Sequence, residues 1–148
     1  FNKMFCVSLS VRKVKIIAVA VLGCIAAVGI AAALNSRSVK KNIILENNTS
    51  RVGFLNINGY DVEEEPSDCI TVSIPSEFNR IYSEYNNIQL EQGFDLEKYM
   101  GQSAEIYTYQ LSSNPDMCAV LIIHNNNLIG CDIHSAEYGG AFEALLKS

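Results

Sequence analysis

The chain has 148 residues, room for one domain plus a tail or anchor. Hydrophobic residues make up 49% and charged residues only 18%, an imbalance that an ordinary soluble domain does not show. The net charge of −5 argues against nucleic-acid binding, which relies on clustered Lys and Arg.

The apolar excess sits in one place. Ile16 to Leu34 carries no charged and no strongly polar side chain, and as a helix its 19 residues rise roughly 28 Å, close to the hydrocarbon thickness of a bilayer. This predicts a retained transmembrane helix over 16–34 behind a basic tail, 1–15. A cleaved signal peptide ending near Ala31-Ala32-Ala33 is the alternative, with secretion as its consequence. A lipoprotein signal at Val21-Leu22-Gly23-Cys24 fits less well, because ten apolar residues follow the cysteine. Lys3, Arg12, Lys13 and Lys15 precede the run without a single acid, whereas residues 35–148 carry seven basic residues and all 16 acids. Arg37, Lys40 and Lys41 follow closely, so the excess of positive charge on the N-terminal side is small. It favours an N-terminus inside and a domain outside the cytoplasm.

Residues 35–50 read as a juxtamembrane linker, and 51–148 as a small extracytoplasmic domain. Asn47-Asn48-Thr49-Ser50 offers a helix start, with a short helix from Arg51 to Ile57 and a stop at Gly59. The acidic run Glu63-Glu64-Glu65 reads as a solvated loop, since calcium loops need alternating oxygen ligands and a turn glycine. Cys69 to Ile74 is β-branched and partly alternating, a strand. Pro75-Ser76 breaks it and starts a helix over Glu77 to Glu91, with Phe78, Ile81, Tyr82, Tyr85, Ile88 and Gln89 on one face. Asp95 caps a further short helix through Met100.

Strands follow over Ala104–Leu111, Cys118–Ile123 and Leu128–Ile133. The last two form a hairpin around Asn125-Asn126-Asn127, residue types that tolerate tight turns. Ala141–Leu146 reads as a last helical turn or two. The expected class is α+β: an N-terminal transmembrane helix, then an antiparallel sheet of about four to five strands with helices covering one face.

For chemistry, the histidines are His124, at the hairpin tip, and His134, at the end of the returning strand. Pairing residue 124 with 128 places Cys118 opposite His134 and Cys131 opposite Leu121, which excludes a 118–131 disulfide. Asp95 explains itself as a cap, and Gly130-Cys131-Asp132 reads as a bulge that ends pairing. Cys69, Cys118 and Cys131 show neither a disulfide framework nor zinc-ligand spacing, and no cofactor motif is present.

Several motifs resemble an uncharacterised bacterial family, domain of unknown function 4830. They are Phe54-Leu55 through Gly59-Tyr60-Asp61-Val62, Ile74-Pro75-x-x-Phe78, Tyr82-x-x-Tyr85-Asn86-x-x-Gln89 and Gly93-Phe94-Asp95-Leu96-x-x-Tyr99-x-Gly101. Tyr107-Thr108-Tyr109 and Ile129-Gly130-Cys131-Asp132-Ile133 complete the set, which spans roughly residues 51–146. Cys131 stands where the family pattern suggests a second glycine. The resemblance implies a membrane-anchored domain and carries no activity.

These features point to a non-enzymatic binding module at the envelope. Its expected partners are the lipid bilayer, through Ile16–Leu34, and an unidentified protein or small molecule. Its candidate surface is Tyr82, Tyr85, Asn86, Gln89, Phe94 and Tyr99, together with Asp132. The alternative is a small thiol- or carboxylate-dependent hydrolase using Cys118 or Cys131 with His134 or Asp132, which requires an accessible thiol of lowered pKa.

Overall fold

The computed structural model describes residues 42–137 and 140–147. The expected membrane helix Ile16–Leu34 lies outside these residues, and among the described ones no helix is long and apolar enough to cross a membrane.

Helix α1 spans Asn48–Ile57. A reciprocal cap starts it: Ser50 N–H donates to Asn47 Oδ1 at 2.9 Å, and Asn47 N–H donates to Ser50 Oγ at 3.1 Å. Gly59 ends it with φ +89°, a conformation that costs glycine nothing. Strand β1 spans Asp68–Ser73. Helix α2 spans Arg80–Glu91, three residues shorter at its start than the sequence predicts. The cap is Asn79, whose side chain accepts from Tyr82 N–H at 2.9 Å, so Pro75-Ser76 ends the strand without starting the helix. A 3-10 turn over Leu96–Tyr99 follows, capped by Asp95 as expected.

Strands β2 (Ser103–Gln110), β3 (Met117–His124) and β4 (Asn127–Ser135) form a meander, and β5 is the pair Phe142–Glu143. The sheet is antiparallel throughout, in the order β1-β2-β3-β4-β5. The β3–β4 turn is tighter than expected. Asn125 and Asn126, both at positive φ, form a two-residue turn, so His124 pairs with Asn127 rather than with Leu128. A bulge at Ile122/Ile123 restores the expected register below it, with Cys118 opposite His134 and Cys131 opposite Leu121. The bulge expected at Gly130-Cys131-Asp132 is not formed, since these residues pair with Ile122, Leu121 and Val120 and the ladder runs on to Ser135.

The helices do not share one face of the sheet. Leu55 of α1 packs with Tyr107, Tyr109, Leu121, Ile123 and Ile133, whereas Tyr85 of α2 packs with Ala104, Val120 and Ile122 on the other side. The unbroken apolar run Cys118–Ile123 is the physical reason: a strand without polar alternation needs cover on both faces, and β3 and β4 are buried along nearly their whole length. Gly130 lets α2 approach, because a Cβ there would stand 3.0 Å from Gln89 Oε1 and 3.3 Å from Ile122 Cδ1.

The expected terminal helix over Ala141–Leu146 is not formed. Phe142 and Glu143 pair with His134 and Ile133 instead. Gly140 sits so close to Ser135 that an added Cβ would stand 2.6 Å from Ser135 Cβ. Leu145 is buried, and Leu146 N–H donates to Gln92 Oε1 at 2.9 Å. These tertiary contacts override a weak local preference for helix.

Candidate functional site

On the α2 side of β4, alternation places Gly130, Asp132 and His134 in one row. Asp132 is 1% exposed, and each of its carboxylate oxygens has a partner. Tyr85 O–H of α2 donates to Oδ2 in a short hydrogen bond, and His134 Nδ1 meets Oδ1 at 2.7 Å. Phe142 of β5 packs its ring edge-on to Tyr85, with centroids 5.5 Å apart, and lies 4.9 Å from the His134 ring. The imidazole remains partly open to solvent while the carboxylate behind it is closed off. Burial, then the Asp132 charge and its hydrogen bond, hold the Tyr85 phenol far above its ordinary pKa, so it serves as a neutral donor.

Cys118 faces His134 across the β3–β4 ladder, but burial and then the Asp132 charge push its thiol up. It is therefore a protonated, weak nucleophile at neutral pH, the opposite of what a thiol enzyme needs. Cys131 is fully buried, and its Sγ donates to Gln92 Oε1 at 3.3 Å.

The remaining expected surface residues divide into two groups. Asn86 is buried and holds the turn before the 3-10 helix, accepting from Leu96 N–H at 2.7 Å and donating to Asp95 Oδ1 at 3.2 Å. Gln89 Oε1 accepts from Cys131 N–H at 2.8 Å, and Gln92 Nε2 donates to Cys131 O at 2.9 Å. The two glutamines thus act as a substitute strand where β5 does not reach. Phe94 crosses to the α1 side and joins its core. Only Tyr82, tilted against Phe78, and Tyr99, tilted against His124, are half-exposed. The aromatic face of α2 is therefore core and edge seal, not a continuous binding surface.

The network was not read from the sequence, because Gly130-Cys131-Asp132 was expected to be a bulge that ends pairing, whereas β4 runs on through His134 to Ser135 and so sets Asp132 and His134 two residues apart on one strand. Phe142 was missed because its segment was read as helix, and Gln92 because it lay past the expected helix end at Glu91. A shallow depression lined by Ile57, Asn58, Gly59, Tyr60, Leu145 and Lys147 contains none of the network side chains. Among the described residues no group of three His, Cys, Asp or Glu side chains converges to hold a metal.

The profile of a family described as Domain of unknown function (DUF4830) matches residues 54–133, more than half of the chain. The chain belongs to this family. The DUF4830 match takes in Tyr85 and Asp132 and ends one residue before His134, so the outer half of the network lies beyond it. No curated protein and no solved structure matches the chain.

Proposed function

We propose that the chain is a single-pass membrane protein, N-terminus inside, whose DUF4830 domain works outside the cytoplasm as a non-catalytic binding module. The observation that carries this reading is how the domain receives the chain coming from the apolar run. Leu45 is 3% exposed, and the Leu45 N–H···O Asn126 and Leu128 N–H···O Ile43 bonds, 2.8 Å each, fasten the entering segment to the tip of the β3–β4 hairpin. Residues 35–42 alone separate Leu34 from that attachment, a reach of at most roughly 28 Å. With a membrane helix mounted there, we take the hairpin tip as the end of the sheet toward the bilayer. The His134–Phe142 end, about 23 Å further along β4 at ~3.3 Å per residue, then faces away. That end offers a partly exposed imidazole fixed from behind by Asp132 and bordered by Phe142, a rigid polar group in an apolar surround.

Protease added to intact cells is expected to remove the domain of the full-length chain. Digestion only after lysis would place the domain inside and end the topology. Cross-linking from membranes tests the binding half: a species captured by the full chain is expected to be lost with His134→Ala, and its capture by the N-terminal segment alone would assign binding elsewhere.

A small hydrolase is the second reading, favoured by the Asp132–His134 bond and by Cys118 standing opposite His134. Turnover of a thioester or ester that disappears in both Cys118→Ala and His134→Gln would establish it over the first.

A further inference from the structure

On the opposite face of the sheet, Arg51 is 2% exposed, although it is a permanently charged group. Its Nε donates to Tyr109 Oη at 2.9 Å, and its guanidinium carbon lies 3.8 Å from the centre of the Tyr107 ring. Among the described residues no carboxylate forms an ion pair with it, and its Nη2 is buried without a hydrogen-bond partner. A buried cation in this condition gains from any nearby group that can become an anion.

Cys69 stands beside the ring on which the guanidinium rests. It is the register partner of Tyr107, the ring under the guanidinium, and it packs on the same α1-side core. The Ile74 N–H···O Gln102 bond sets the alternation of the β1–β2 ladder, making Cys69–Tyr107 a pair of the closer type, with Cβ atoms roughly 4.5–5.5 Å apart. Cys69 is half-buried on an edge strand, whereas Cys118 and Cys131 are buried on β3 and β4. Two acids act in the other direction. Asp68, whose Oδ1 accepts from Cys69 N–H, is exposed to screening solvent, and Glu105 is engaged by the Tyr107 hydroxyl. Arg51 is shielded from solvent, so its field is screened least.

We infer that Cys69 is a nucleophilic thiol, stabilised as thiolate by Arg51, and a site of S-thiolation by small disulfides. In that step the thiolate attacks one sulfur of the disulfide and forms a mixed disulfide, and the other half leaves as thiolate. The Cys69 sulfur is oxidised, the departing sulfur is reduced, and the thiol proton passes to solvent.

The test uses the full-length chain in detergent at pH 6 with glutathione disulfide as the probe, reading each cysteine-containing peptide by mass. Cys69 is expected to react about tenfold faster in the folded protein than in urea, since the thiolate is the attacking species. Arg51→Met is expected to erase that difference and Arg51→Lys to keep part of it. A folded rate at or below the rate in urea overturns the inference, as does an unchanged rate in Arg51→Met. The comparison of folded and unfolded wild type decides the matter even if a variant does not fold.

Discussion

Both faces of the sheet bury a charged residue, and they treat it differently. On the α2 face, Asp132 has a donor on each oxygen, Tyr85 and His134, and the C-terminal arm closes over the group with Phe142. On the α1 face, Arg51 has one hydroxyl acceptor, one aromatic ring and an unmatched nitrogen. A buried polar network with every member satisfied rigidifies its surroundings, while a partly satisfied one costs stability that is retained only for another reason. The contrast marks Asp132 as a fixed part of the architecture and Arg51 as the residue with unused chemistry.

The largest expected effect comes from removing a donor from the fully matched Asp132 carboxylate. Tyr85→Phe leaves a buried carboxylate oxygen unmatched and is expected to lower stability by about 2 kcal/mol in urea titration, the usual cost of orphaning a buried acceptor. A loss below about 0.5 kcal/mol would mean that water replaces the phenol, and that the network is looser than its geometry.

A pH effect of intermediate size follows from the same phenol. Its folded pKa is raised, so the folded state holds the proton to higher pH than the unfolded state does. The stabilisation is complete below the unfolded value of about 10 and is lost as pH climbs from there toward the folded pKa. Thermal melts between pH 9 and 11 should therefore fall more steeply for wild type than for Tyr85→Phe. Tyr60, Tyr82, Tyr107 and Tyr109 are shifted in the same direction and leave a residual slope in the variant. Parallel profiles would assign the alkaline transition to those residues instead.

The smallest effect is expected on the incomplete side. Arg51→Met replaces an unmatched buried cation with an apolar chain of similar length, and stability should change by no more than about 1 kcal/mol. A loss as large as that of Tyr85→Phe would show that the cation–π contact and the Tyr109 bond satisfy Arg51 fully, and the contrast between the faces would disappear.

Much of the scaffold was legible in local residues. Asn47 and Ser50 announced the first helix, Gly59 its end, Asp95 the 3-10 turn and Asn125-Asn126 the hairpin. Each acts through backbone bonds to its immediate neighbours. The candidate surface was less legible, because the amides of Asn86 and Gln89 beside tyrosines suggest a polar contact surface. Both are buried because their amides complete backbone bonding in distant segments, the turn at Leu96 and the open edge of β4 at Cys131.

By itself, then, the sequence determined the order of the elements from α1 to β4 and the caps and turns that bound them. Tertiary structure decided which face each helix covers and whether the last segment is helix or strand. It also decided that Tyr85, 47 residues from Asp132, becomes its donor, and that Arg51 lies over the ring opposite Cys69. Caps, turns and alternation arise from interactions within a few residues, whereas buried charges find their partners only after the sheet has brought remote strands and helices into contact.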